Sequence, residues 1–224
     1  MKLTFLGTGA ADWCLAIRDG KKVTRRYSSV IIDDELVIDP GPGVLDALKE
    51  NKIEFSSVKY VLNTHDHDDH MNRDNLKVLT NCGAKFINTE KPGVYKFGKY
   101  TVEAVKANHA IACVHFIISD GESVLFYGLD GAWLTYEEYE AIQRQKVDLG
   151  VFDATIGFVD GDIRIFEHNN LNMVIEMKKT LSENIERFFI SHMAYTLHDE
   201  HEILSANMKN YGIDVAFDGM TIEF

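Results

Sequence analysis

Six consecutive residues, HDHDDH at 65–70, place three histidines and three aspartates one residue after the apolar run VKYVLN. Imidazoles and carboxylates this dense are costly to gather at one point unless a positive charge sits among them and draws several inward. A chain built around such a point must bring further ligands to it from elsewhere, so the hexapeptide constrains the fold as well as the chemistry. His65 and His67 alternate and so project to one side of an extended loop, while Asp69 and His70 can face a neighbouring point. One cluster can therefore serve two metals. Imidazole nitrogen and carboxylate oxygen, with no thiolate in the cluster, suit zinc, manganese or iron.

Other candidate ligands also stand just beyond apolar strand-like runs: His109 after YTVEAVKAN, Asp130 after SVLFYGL and His192 after RFFIS. Strand ends on one rim of a sheet converge in space. Asp130 has two oxygens and could bridge two cations about 3.5–4 Å apart, the spacing of two-metal hydrolases. The expected ligand set is thus His65, His67, Asp69, His70, His109, Asp130 and His192.

Short β-branched and aromatic runs recur from KLTFL at the start to MTIEF at the end. Between them lie five segments with apolar residues at helical spacing: GVLDALKENK, Met71 to Leu79, TYEEYEAIQRQK, LNMVIEMKKTLSE and HEILSANMKNYG. Thr135 and Glu138 read as a capping box, and Gly212 as the stop of the last helix. Asp120-Gly121 and Asp218-Gly219 each separate two strand-like runs, which predicts two hairpins and much of the sheet antiparallel rather than doubly wound. The class is mixed α/β (α+β). No linker or repeat divides the chain, so residues 1–224 are expected to form one domain.

The formal charge of −12 disfavours extended binding to nucleic acid or to anionic membranes, and the expected partner is a small molecule. Cys14, Cys82 and Cys113 are odd in number and widely spaced, which reads as reduced thiols rather than disulfides or a thiolate zinc site. Met1 leads straight into KLTFLG, with neither a signal-peptide pattern nor a membrane-length apolar run, so a cytoplasmic location is expected.

LGTGAAD at the start, the H-x-H-x-D-H pattern in HDHDDH, His109, GLDG around Asp130 and SH at 191–192 together resemble the metallo-β-lactamase superfamily. The resemblance implies a four-layer αββα sandwich with the metals at one edge. Within the superfamily the chain is most similar to the phosphodiesterases of the carbon-phosphorus lyase pathway, which open the cyclic phosphate of a phosphorylated ribose; RRYSSVII, HNNLNMVI and GIDVAFDGMTIEF carry this. Those enzymes hold a structural zinc through a cysteine-rich early loop and a later histidine. Here Cys14 stands alone in that loop and Tyr195 takes the histidine's place, so a third metal is not expected.

The chemistry expected is cleavage of a small phosphodiester, such as a cyclic phosphate of a sugar or nucleotide, by a hydroxide bridging two divalent ions, manganese or zinc. Asp69 would orient the nucleophile. His168, which matches the histidine opening HNNLN in the resembling family, would assist the leaving group. Ester, lactone or thioester hydrolysis would use the same metals, and a metal-binding partner protein with little turnover is the alternative of another class. A homodimer stays open. Asp39 in VIDPGPG reads first as turn chemistry and Asp153 in VFDATIG as support for a metal-binding histidine. His115 reads as a packed residue, and His198 and His201 as solvated or capping positions. In KKVTRR, Lys21 and Lys22 read as a solvated face, while Arg26 stays a candidate for steering phosphate.

Overall fold

A computed structural model describes residues 1–13, 17–18, 21–22 and 25–224; Cys14 lies outside the described residues. The chain runs β1 (Lys2–Gly7), β2 (Ile17–Arg18), β3 (Lys21–Lys22), β4 (Ser29–Ile32), β5 (Leu36–Ile38), α1 (Val44–Glu50), β6 (Tyr60–Leu62), α2 (Arg73–Asn81), β7 (Lys85–Phe86), β8 (Gly93–Phe97) and β9 (Tyr100–Lys106). It continues through β10 (Val114–Ser119), β11 (Val124–Gly128), α3 (Tyr136–Gln143), β12 (Val147–Asp153), α4 (Leu171–Leu181), β13 (Ile185–Ser191), α5 (His201–Lys209), β14 (Ile213–Val215) and β15 (Thr221–Glu223).

Two large sheets result, ordered β15-β1-β4-β5-β6-β7 and β14-β13-β12-β11-β10-β9-β8, with β2 and β3 pairing separately. Strands of β4 alternate between two apolar environments. Val30 and Ile32 face the inter-sheet core with Leu3, Phe5, Val102, Phe116 and Val151, while Ile31 faces α1 and α2 with Val44, Leu48 and Leu79. The second sheet repeats the arrangement: Phe116 and Ile118 point inward, and Ile117 packs outward with residues of α3, α4 and α5. Both sheets are buried on two faces, which gives the αββα sandwich its four layers.

The capping box is present: the Glu138 amide donates to Thr135 Oγ1 (3.2 Å) and the Thr135 amide to Glu138 Oε2 (2.6 Å). Asp120-Gly121 does turn the β10–β11 hairpin, with Gly121 at φ 95°. The second expected hairpin is not one. The chain before Asp218-Gly219 ends in β14 of the second sheet, and the chain after it enters β15 of the first, so this turn crosses between layers. Each sheet is antiparallel over one half and parallel over the other, a more even mixture than the hairpin signals suggest.

This strand direction positions the site. Both β9 and β11 run antiparallel to β10, and β11, β12 and β13 are mutually parallel, so the C-terminal ends of β9, β11, β12 and β13 share one rim. His109, Asp130, Asp153 and His192 stand at those ends. Among the described residues, no helix is long and apolar enough to cross a membrane.

Candidate metal centre

The seven expected ligands meet at that rim in two sets. His65 Nε2 lies 2.9 Å and His109 Nε2 3.2 Å from His67 Nδ1. His70 Nε2 lies 3.1 Å from His192 Nε2, and Asp69 Oδ2 lies 3.5 and 3.6 Å from these two nitrogens. Asp130 stands between the sets, with Oδ2 2.7 Å from His70 Nε2 and 3.1 Å from His192 Nε2, and Oδ1 4.0 Å from His109 Nε2. The hexapeptide reaches this point because Gly41 lets the chain pass close by: a Cβ there would sit 2.1 Å from the Asp69 carbonyl oxygen.

The hydrogen bonds behind the rings decide which nitrogens keep lone pairs. A carboxylate or carbonyl oxygen can only accept, so His70 Nδ1 donates to Asp39 Oδ2 (2.9 Å) and His109 Nδ1 to the Glu167 carbonyl (3.2 Å). The Thr64 hydroxyl donates to Asp39 (3.0 Å) and therefore accepts from His65 Nδ1 (2.9 Å). His192 Nδ1 donates to Thr155 Oγ1 (2.7 Å). All four Nε2 atoms are then lone pairs aimed at one another, and buried Asp130 Oδ2 is left without a hydrogen-bond partner. Only a cation satisfies such a set, so the residues present fit divalent metal ions.

In the metal-free protein, protons meet part of this demand. Burial pulls the His192 pKa down, but Asp130, Asp153 and Asp69 overcome it and raise it to about 10; His70 is likewise raised by Asp130 and Asp39 against burial. His65, which burial and neighbouring rings disfavour as a cation, falls to about 2. These directions set the pH dependence of the metal-free protein. Groups raised above 6.5, His70, His115, His168 and His192, stabilise the fold below that pH, and the His192 contribution is lost as pH climbs towards about 10. The lowered groups, His65, His109, His198 and His201, remove stability as pH falls below 6.5, because the unfolded chain takes up their protons more readily than the folded one. Denaturant titrations in chelator at pH 5, 6.5 and 9 should therefore peak at the middle value; a monotonic trend contradicts the assignment.

Two carboxylates expected to play lesser parts form the supporting layer. Asp39 does make the turn, accepting at its carbonyl from the Gly41 amide (2.8 Å), yet its buried side chain takes Thr64 and His70, so the turn reading alone is corrected. Asp153 accepts from His168 Nδ1 (2.9 Å) and from the amides of Asp130 (3.1 Å), Thr155 (3.0 Å) and Asn169 (3.0 Å). Asp39, Asp130 and His192 adopt left-handed backbone with φ of 60°, 62° and 57°, uncommon outside glycine though aspartate and histidine enter it more readily than most residues.

A cleft of about 220 Å³ opens onto the centre, lined by Asp12, Asp69, Asp130, Arg164, His168 and His192 among others. His168 stacks on His192 with ring centroids 5.4 Å apart. Asp12 and Arg164 escaped the sequence reading: a single carboxylate and a single guanidinium carry no local pattern. Asp12 accepts from the Tyr195 amide (2.8 Å), and Arg164 grips Asp162 through Nε (2.9 Å) and Nη2 (2.7 Å).

Two further expectations change, and two do not. Arg26 pairs with Glu50 (2.5 Å) and is absent from the cleft lining, so it is not placed to steer phosphate. His198 is buried and donates to the Ala154 carbonyl (2.6 Å) rather than meeting solvent. His115 is packed, as expected, but also bonded at both nitrogens. His201 does open α5.

No protein-family model and no curated protein matches the chain. Solved structures do. The metallo-β-lactamase fold protein YhfI from Bacillus subtilis is 16% identical with a TM-score of 0.77, covering 100% of this chain and 99% of its own. Zinc-bound PqqB from Methylobacterium extorquens is 17% identical at TM-score 0.76, covering 100% of both chains. A diphosphatase of the PhnP family is 17% identical at TM-score 0.75, covering 100% of this chain and 97% of its own. Backbone paths so alike across the whole chain identify its architecture: this is a metallo-β-lactamase fold.

Proposed function

We propose that the protein is a metal-dependent hydrolase that cleaves a small phosphodiester, with a cyclic phosphate of a sugar or nucleotide the preferred class. The observation that carries the reading is the pair of ligand sets joined by Asp130 at the floor of a narrow cleft. Support comes also from a neighbour of the same fold that is a diphosphatase and another that binds zinc. Bound at the two sets, divalent ions such as zinc or manganese supply Lewis-acid polarisation of a phosphoryl oxygen and of water near neutral pH.

The chain's own residues do the rest. Asp69 lines the cleft and accepts a hydrogen bond from the attacking water, fixing its direction. Asp153 holds the His168 ring through Nδ1 and raises its pKa against burial, which favours the ring as donor of a proton to the departing alkoxide. The volume of about 220 Å³ admits one small substrate, below the 300–1,000 Å³ usual for drug-sized ligands.

Arg164, held in orientation by Asp162, places its guanidinium on the cleft wall and binds substrate oxygens remote from the scissile bond. Arg164→Ala should raise KM about tenfold with kcat little changed, the loss of one charge-assisted contact. Steady-state kinetics would reject this role if KM stayed constant.

The reading as a whole is tested by elemental analysis of the purified protein together with a panel of cyclic and linear phosphodiesters, lactones and thioesters. About two ions per chain and turnover of phosphodiesters are expected. Turnover of lactones or thioesters alone would replace the substrate class, and bound ions without turnover of any substrate would make the chain a binding protein.

A further inference from the structure

The buried pair His115–Glu138 lies outside the ligand sets, yet it touches the turn that carries Asp130. His115 projects from β10 away from the inter-sheet core. Its Nδ1 meets Glu138 Oε1 in a short contact, and its Nε2 donates to the Leu129 carbonyl (3.0 Å). Glu138 keeps its other oxygen on the Thr135 amide (2.6 Å), so one carboxylate joins the start of α3 to the ring. Both groups are essentially inaccessible, at 1% and 0% exposure.

The GLDG segment is wrapped on this imidazole. A Cβ at Gly131 would stand 2.6 Å from His115 Cε1, and one at Gly128 would stand 3.2 Å from His115 Nδ1 and 2.6 Å from the Phe126 ring. The two glycines of the motif are thus explained by close approach to His115 as much as by turn geometry. Between them Asp130 is held at φ 62°, left-handed backbone that aspartate enters more readily than most residues but still uncommonly, with its amide on Asp153 Oδ2 (3.1 Å). A strained residue persists only where its surroundings over-determine it. Here one side of that constraint is Asp153 and the other is the His115–Glu138 brace.

We infer that His115 and Glu138 are positioning residues for the metal centre: through the Leu129 carbonyl they lock the turn that aims the Asp130 carboxylate at both ligand sets. The inference rests on the metal-centre reading above. Neither residue reaches the cleft, so their effect is on the affinity and geometry of the bound ions rather than on substrate.

The test compares His115→Ala, Glu138→Gln and Thr135→Ala with the wild-type protein. Thr135→Ala removes the helix cap but leaves the brace, and so reports what a purely structural loss does. For each, zinc affinity is measured by competition with a chromogenic chelator, the visible spectrum of the cobalt-loaded protein is recorded, and the melting temperature is taken in chelator. His115→Ala and Glu138→Gln should weaken zinc binding about 10–100-fold, the range for partners behind metal ligands, and should shift the cobalt bands. Thr135→Ala should lower the melting temperature and leave affinity and spectrum alone. Unchanged zinc affinity and cobalt spectrum in a folded His115→Ala or Glu138→Gln protein overturns the inference, as does an equal loss in Thr135→Ala. Wild-type protein that takes up neither metal sinks the underlying reading instead, and the inference with it.

Discussion

Asp130→Asn protein, purified and passed through a desalting column after metal loading, should retain at most one ion per chain where the wild type retains two, and its turnover should fall by about 10³ or more. The reason is its position. Asp130 is the one ligand whose two oxygens face different sets, Oδ2 towards His70 and His192 and Oδ1 towards His109. Asparagine preserves the shape but leaves one oxygen and no charge among lone pairs that need a cation. A loss of 10³ in rate corresponds to about 4 kcal/mol, in keeping with removing a group that serves both ions at once. Asp69→Asn, by contrast, alters one set and the orientation of water, so it should cost turnover more than ion content. Elemental analysis beside steady-state kinetics separates the two, and full metal content with intact turnover in Asp130→Asn would refute the bridging role.

His168→Ala should do the reverse: both ions stay, while kcat falls by about 10²–10⁴, the usual value of a general acid. The ring is tied to Asp153 by Nδ1 and stacks on His192, but it belongs to neither set of converging lone pairs. Substrates with better leaving groups should be less affected, because they depart without a proton. An aryl phosphodiester and an alkyl one, compared in wild type and variant, should show the gap. Equal losses on both, or a loss of metal, would make His168 a structural or ligand residue instead.

The legibility of this fold in its sequence varies with how local the deciding interaction is. All five helices and nearly all central strands follow apolar periodicity, because a strand such as β4 or β10 is buried on both faces and its residues report that directly. The edge strand β8 is harder to read: Gly93, Val94 and Lys96 are exposed, and only Tyr95 and Phe97, half-buried against the inter-sheet core, carry its period of two. The turn at Asp218-Gly219 was legible as a turn, but whether its flanking strands pair with each other depends on which sheet each one joins. The clustering of the seven candidate ligands is legible because strand-end positions and the hexapeptide both point to a rim. Asp39 was underrated since its role is set by Thr64 and His70, 25 and 31 positions further along. The surroundings of His198 and Arg26 are not legible, because their partners, the Ala154 carbonyl and Glu50, are brought by tertiary contact alone.

Each ligand set draws on both halves of the polypeptide: His65 and His67 follow β6 of the first sheet while His109 follows β9 of the second, and Asp69 and His70 are likewise matched by His192. An ion seated in either set is therefore a rivet through the open seam of the sandwich, and neither half can peel away without releasing it. At a free concentration 100 times its Kd, one such ion adds about 2.7 kcal/mol to the fold. Amide exchange at the seam should slow in both sheets together on loading, long before any substrate is added.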